Sequence, residues 1–429
     1  MDVKLKDREE IIKKLNSEQV KNLVFGGGGA NGLCYAGCLW ELAQTPGCEN
    51  FENIERAAGT SIGSVAALAV CLKLTPQRMF EILASIDFKT IKDTGTLLDI
   101  YKRVYNEQSI YQGDVVFHHV LALLSEVTKR KDPEKITFQD LKDSGYKDLY
   151  VLATKAIKTR PQLTTSKQVF SYETTPLVSV ASAIRASMSA YPYFPGVKIQ
   201  CNPSEPAYTF YDGAFKDNLA VGIFDYPKYL TGMKDDTNQN PEDQQRNTPY
   251  SREMFDYQDR RNAIKNNVAV DRVHNPHTLA FSIVNPDTQL PPRPLHSGNV
   301  IQTAAALIDG LITTEDHSLD PRTDRIIEIQ RKIALTNFGI GDDKQKEIII
   351  AGASSVAKYF GDFFSDDKQR FICEKIDEIK KQATNYIKQS SDSTAKKGSF
   401  IENNFGWLLW STKTKPTPQS EAENHKARL

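Results

Sequence analysis

The chain has 429 residues, 54 basic and 54 acidic, enough for one large α/β domain with an appendage or for two domains, and with no net field favouring nucleic acid or an anionic membrane. No uncharged apolar run reaches the roughly 20 residues that cross a bilayer, and the charged stretch Met1 to Lys14 lacks the apolar core of a Sec-type signal. Six cysteines, at 34, 38, 48, 71, 201 and 373, form no CxxC pair; Cys34, Cys38 and Cys71 fall in apolar helical surroundings and read as reduced buried thiols, so a reducing, cytoplasmic compartment is expected.

Residues 1–20 read as one charged amphipathic helix. Leu23-Val24-Phe25 is a short buried strand, followed by Gly26 to Gly29, Ala30-Asn31-Gly32 and a small-residue helix. Next comes Gly59-Thr60-Ser61-Ile62-Gly63, between Ala57-Ala58 and an apolar helix from Val65 to Leu72. Thr75 caps a helix that begins at Pro76 and runs through Ile86. Residues 97–130 are helical in pattern, and Thr137-Phe138 leads into a short helix. Asp148 to Thr154 and Gln168 to Ser171 are further core strands. A small-residue helix from Pro176 ends in Ser187 to Pro195, which carries two prolines and three aromatics. Tyr208 to Tyr211 is a brief strand with Asp212-Gly213-Ala214 at its end.

Residues 231–275 turn polar and read as an insertion. Thr278 to Val284 restores a core strand, Val300 to Ile312 a helix, Arg325 to Ile329 a strand and Asp342 to Phe360 a closing helix. Beyond it, Ile372, Ile376, Ile379, Ala383 and Ile387 recur at helical spacing, and the tail holds Trp407-Leu408-Leu409-Trp410 ahead of Lys413 and Lys415. That tail is too short to span a bilayer and suits either a strap on the core or an interfacial anchor. Strands alternating with helices over 21–360 imply a mostly parallel sheet covered on both faces.

Two pieces of this order carry chemistry. G-x-S-x-G between strand and helix is the context of a nucleophile elbow, which exposes the Ser61 hydroxyl on a strained turn. The glycine run offers backbone N–H groups of Gly27, Gly28 and Gly29 as donors to an oxyanion. Ser61 needs a base, and Asp212 at a strand's carboxyl end is the candidate, although an Asp-Gly turn is the plainer explanation of that dipeptide taken alone. Three other readings stand beside this one. A Ser-His-Asp triad would draw on His274, His277, His296, His317 or His425, none of them in a convincing loop after a core strand. A phosphate cradle lacks the Lys-Ser/Thr of a P-loop. A catalytically weak scaffold would act through partner binding. No metal-ligand spacing is present, so no metal or cofactor is expected.

Four blocks in order resemble the patatin-like phospholipases, a family of lipid acyl hydrolases. Gly27 to Gly32 is similar to the glycine-rich oxyanion motif, and Gly59 to Gly63 to the serine motif. Ala186 to Pro195 resembles the alanine–serine–proline block, and Asp212-Gly213-Ala214, with Asn218 downstream, the aspartate motif. The resemblance covers about 21–360. It implies a three-layer α/β/α fold with a mostly parallel sheet, a Ser61–Asp212 dyad, an oxyanion hole at Gly27, Gly28 and Gly29, and supporting roles for Gly32, Gly59, Gly63, Gly213 and Ala214. The implied substrates are membrane phospholipids or lysophospholipids, met by peripheral membrane association. On this reading residues 21–362 are the catalytic domain, with 1–20 an N-terminal helix and 363–429 a helical extension. Some bacterial members are delivered into host cells, carry extra helices and use a host protein as activator; the motifs here do not single out that subgroup.

Overall fold

The computed structural model describes residues 20–88, 97–106, 109–159, 162–229, 275–284, 325–333, 337 and 339–392. Its strands are β1 (Asn22–Phe25), β2 (Arg56–Thr60), β3 (Asp148–Thr159), β4 (Gln162–Phe170), β5 (Val197–Ile199), β6 (Tyr208–Asp212), β7 (Thr278–Val284) and β8 (Ile326–Gln330). They form one sheet in the order β5-β6-β3-β2-β1-β7-β8, with β4 paired to β3. The run β3-β2-β1-β7-β8 is parallel throughout, while β4, β5 and β6 join antiparallel.

Period-two alternation divides the strand residues between two cores. Leu23, Phe25, Ala57, Val151, Phe281 and Ile327 face the larger one; Val24, Ala58, Tyr150, Leu152, Ala280 and Ile326 face the smaller. Both sets are buried, as the parallel strands of a covered sheet require. The larger core is roofed by α1 (Cys34–Leu42), α2 (Ile62–Cys71), α3 (Pro76–Ala84), α5 (Asp114–Thr128) and α7 (Val180–Ser187), together with α8 (Asp342–Tyr359). Between α3 and α5 lies α4 (Leu97–Asn106), and α6 (Phe138–Asp143) precedes β3. On the opposite face, Leu219 to Phe224 and Tyr229 supply the described cover.

Local signals explain the element boundaries. Thr75 Oγ1 accepts the Arg78 N–H at 3.2 Å to start α3. Thr137 and Asp140 form a reciprocal capping box at α6. The stretch 97–130, helical in pattern, is two helices, α4 and α5, with Ser109 to Gln112 non-helical between them and Gly113, at φ +75°, capping the second. Strands β3 and β4 run longer than their apolar segments, because polar residues such as Lys155, Thr164 and Lys167 continue the hairpin beyond the core.

The helix read from Ile372 onward is α9 (Asp366–Asp392), and its apolar stripe is consumed within the chain. Ile372, Ile376 and Ile379 are buried in the larger core, Phe371 stacks on Trp40 of α1, and Lys346 of α8 pairs with Asp377. The N-terminal helix expected over 1–20, most of the 231–275 insertion, the helix over 300–312 and the Trp407–Trp410 tail lie outside the described residues.

Candidate active site

The sheet register accounts for the meeting of Ser61 and Asp212, which are 151 positions apart. Strand β2 runs parallel to β3 and ends with Thr60 opposite Leu152. Strand β6 runs antiparallel to β3 and ends with Asp212 opposite Ala153. Because β4 occupies the other edge of β3 at Val151 to Thr159, β2 and β6 share one edge and end head-on, one residue apart. Ser61, the next residue after β2, therefore falls beside Asp212.

Ser61 sits at φ +52°, ψ −130°, in the left-handed half of backbone space that a serine rarely enters. Its Oγ donates to Asp212 Oδ2 at 2.7 Å. The flanking glycines permit this turn by close backbone approach. A Cβ on Gly59 would meet the Gly63 carbonyl and come within 2.5 Å of the Ser64 nitrogen. One on Gly63 would meet the carbonyls of Phe25 and Gly26, the latter at 2.5 Å, so the serine turn packs directly on the glycine-rich loop. Gly32 lies against the Ile62 side chain, and a Cβ on Gly213 would come within 2.5 Å of the Leu152 carbonyl.

Asp212 is 2% exposed. Burial pushes its carboxyl up to about 7, against the opposing pull of hydrogen bonds from the Ala214 N–H and the Ser61 hydroxyl, which favour the ionised form. The Ala214 N–H reaches Oδ1 at 2.9 Å, leaving Oδ2 for Ser61. Thr154 Oγ1 donates to the Asp212 carbonyl at 2.8 Å.

The glycine loop separates into two kinds of amide. The Gly27 N–H, expected as an oxyanion donor, is instead donated to Asn218, at 3.2 Å to its carbonyl and 3.1 Å to its Oδ1. The N–H groups of Gly28 and Gly29 donate to no group among the described residues, and both glycines line the cleft beside Ser61. Gly29 has φ +52°. Asn31 fixes the loop from behind, accepting the Lys332 and Ile333 amides at 3.0 and 3.2 Å.

The cleft beside Ser61 opens to solvent, and with its open mouth included it comprises about 840 Å³ of unfilled space. Its walls are chiefly apolar, with Val116, Phe117 and Val120 of α5 facing Ile184 and Met188. No histidine lines it among the described residues. His277 lies at the start of β7, where its carbonyl accepts the Lys21 and Asn22 amides, at the opposite end of the parallel strands from Ser61. The other histidines that follow Asp212 in sequence lie outside the described residues.

Sequence reasoning missed the part played by the end of α7. Ser187 Oγ accepts the Ser61 N–H at 2.8 Å, and the Ser189 carbonyl accepts the Asp212 N–H at 3.0 Å. The alternation of Ser187 and Ser189 is visible in the sequence, but nothing local says which amides they receive.

Residues 23–225 match the family model of patatin-like phospholipases. This segment is a patatin-like phospholipase domain. It contains Ser61, Asp212, the glycine loop and Asn218. An uncharacterized protein of Acanthamoeba polyphaga mimivirus is 27% identical over 182 residues, 42% of this chain and 55% of that protein. The chain thus spans about half the length of that curated relative. Among solved structures, VipD from Legionella pneumophila is similar with a TM-score of 0.43 and 13% identity over 93% of this chain and 81% of that one. ExoU, solved with SpcU from the type III secretion system of Pseudomonas aeruginosa, gives 0.35 and 14% over 93% and 69%. Human GIVD cytosolic phospholipase A2 gives 0.34 and 11% over 89% and 64%.

Proposed function

We infer that the chain hydrolyses carboxylic esters of membrane phospholipids or lysophospholipids through a Ser61–Asp212 dyad. The observation that carries this reading is the 2.7 Å hydrogen bond from Ser61 Oγ to a buried carboxylate at the floor of an apolar cleft. Asp212 takes the Ser61 proton as Oγ attacks the ester carbonyl, and a carboxyl poised near 7 both accepts and returns that proton near neutral pH. The Gly28 and Gly29 amides stabilise the tetrahedral oxyanion, an interaction whose loss typically costs roughly 3–4 kcal/mol. Collapse expels the alcohol, which leaves with the proton from Asp212. Water, deprotonated by the same carboxylate, then releases the fatty acid and restores Ser61.

Residues 21–362 carry the catalytic residues on this reading, the polar stretch at about 231–275 is an insertion, and 363–429 is a helical extension whose α9 packs onto the larger core. Among the described residues no helix is long and apolar enough to cross a membrane, and the enzyme works on membranes peripherally. The test is fatty-acid release from mixed phospholipid vesicles, with and without eukaryotic lysate, alongside fluorophosphonate labelling. Hydrolysis lost in Ser61→Ala, with label on Ser61 in the parent, is the expected result. Stoichiometric label on another serine, with Ser61 unmodified, overturns the assignment.

A further inference from the structure

The chain leaves the cleft wall at Phe88 and rejoins it at Gly113, both cleft-lining residues, and α4 lies on the excursion between them. It is tied back to the cleft rim by its own polar groups. Arg103, buried, donates through Nε to the Ile110 carbonyl at 3.4 Å. The Ile110 and Tyr111 amides then donate to the Pro192 and Tyr193 carbonyls at 3.1 and 2.8 Å, and Tyr193 lines the cleft. On the outward side of the same helix the pattern reverses. Tyr101 and Tyr105, one helical turn apart, are 66% and 77% exposed, and their rings stack with centroids 6.4 Å apart. Lys102 and Asn106 stand beside them, also exposed. At the rim segment itself, Tyr191 next to Pro192 is 43% exposed.

We propose that the Tyr101–Lys102–Tyr105 face of α4 is the surface that seats the protein on an anionic lipid bilayer, beside the mouth through which a lipid enters the cleft. This rests on the lipid hydrolase reading and adds where the membrane is met. The chemistry selects the occupant. A tyrosine ring buries its apolar body while its hydroxyl stays hydrated, which suits the headgroup boundary of a bilayer. A lysine in the same plane adds attraction to anionic headgroups. A dry protein interface disfavours a lysine at its centre. Position points the same way, since a lipid drawn from a bilayer into an apolar cleft needs the membrane held against the rim.

The experiment compares the full chain with a Tyr101→Ala/Tyr105→Ala double variant, each also carrying Ser61→Ala so that binding is read without turnover. Sedimentation with vesicles of phosphatidylcholine and phosphatidylserine at a four-to-one ratio gives the bound fraction. The double variant is expected to lose about tenfold or more in partitioning, as removal of two interfacial rings implies, and Tyr101→Trp/Tyr105→Trp to retain it. In the Ser61-containing background, hydrolysis of a soluble short-chain ester stays unchanged while hydrolysis of vesicle lipid falls. Vesicle binding equal to the parent's overturns the proposal, as does a change of oligomeric state in the double variant, which would make this face a contact between copies. A parent that binds vesicles through Tyr101 and Tyr105 but cleaves no lipid would instead refute the hydrolase reading and leave the seating surface standing.

Discussion

Replacing Asp212 by Asn separates the acid's proton chemistry from its shape. The amide oxygen can still accept the Ala214 N–H, and the amide nitrogen can face Ser61 Oγ, so packing around this 2%-exposed side chain is conserved. What changes is the cost of ionisation. Burial raises the carboxyl from 3.8 to about 7, so the folded parent holds a proton that the unfolded chain gives up throughout that window. The contribution to stability is fully present below about 3.8 and is lost as pH rises through about 7. That rise corresponds to about 4 kcal/mol in all, with about 2 to 3 kcal/mol of it falling between pH 5 and pH 8. Guanidinium unfolding of parent and variant at those two pH values reads this directly. Asp212→Asn should gain about 2 to 3 kcal/mol on the parent between pH 5 and pH 8, while ester hydrolysis is lost at both. In the parent, kcat/KM should fall as pH drops below about 7, because the base must be ionised to accept the serine proton. A stability gap identical at pH 5 and pH 8 would show that the carboxyl is not held neutral by burial, and the reasoning would fail.

Ser187→Ala leaves the Ser61 amide buried without its acceptor, so kcat should drop about tenfold to a hundredfold with KM little changed, measured on a short-chain ester. An unchanged kcat would mean the turn holds itself. Gly59→Ala forces a methyl into the Gly63 and Ser64 backbone and should cost about 2–4 kcal/mol with loss of turnover, whereas Gly145→Ala, with open space around it at φ +74°, should cost about 1 kcal/mol and leave activity intact. Equal unfolding midpoints for the two variants would contradict the close-approach argument. Truncation after residue 362 removes α9 and strips Ile372, Ile376 and Ile379 from the larger core, so stability should fall on the order of 5 kcal/mol, read by thermal or guanidinium unfolding. A truncated chain that melts with the parent would make α9 a detachable appendage.

Much of the site could be read from the sequence because its signals are local. A glycine run after a strand, a serine between two glycines ahead of an apolar helix, and an acid at a strand's end each declare their own backbone geometry. What could not be read was relational. Gly27 looks like its neighbours in sequence, and only the approach of Asn218, 191 positions away, takes its amide out of play. Ser187 and Ser189 look like ordinary small residues at a helix end until the fold sets them against Ser61 and Asp212. The break between α4 and α5 was obscured because both halves share helical periodicity, and Gly113 marks only the start of α5. In the same way, α9 displayed its apolar stripe plainly but not its destination, which α1 and α8 provide.

The head-on endings of β2 and β6 along one edge of β3 govern how this chain can change length. The distance between Ser61 and Asp212 is set by two strand registers, Thr60 opposite Leu152 and Asp212 opposite Ala153, and not by the chain that links them. Segments can therefore lengthen, shorten or accept whole inserted modules in the loops between α2 and β3, or between α7 and β6, without moving Ser61 or Asp212. A single-residue deletion inside Arg56–Thr60 or Tyr208–Asp212 does the opposite, carrying Ser61 or Asp212 one step along the edge and turning its side chain to the other face of the sheet. Variation in size among relatives should therefore gather in the loops and stop abruptly at these two five-residue strands.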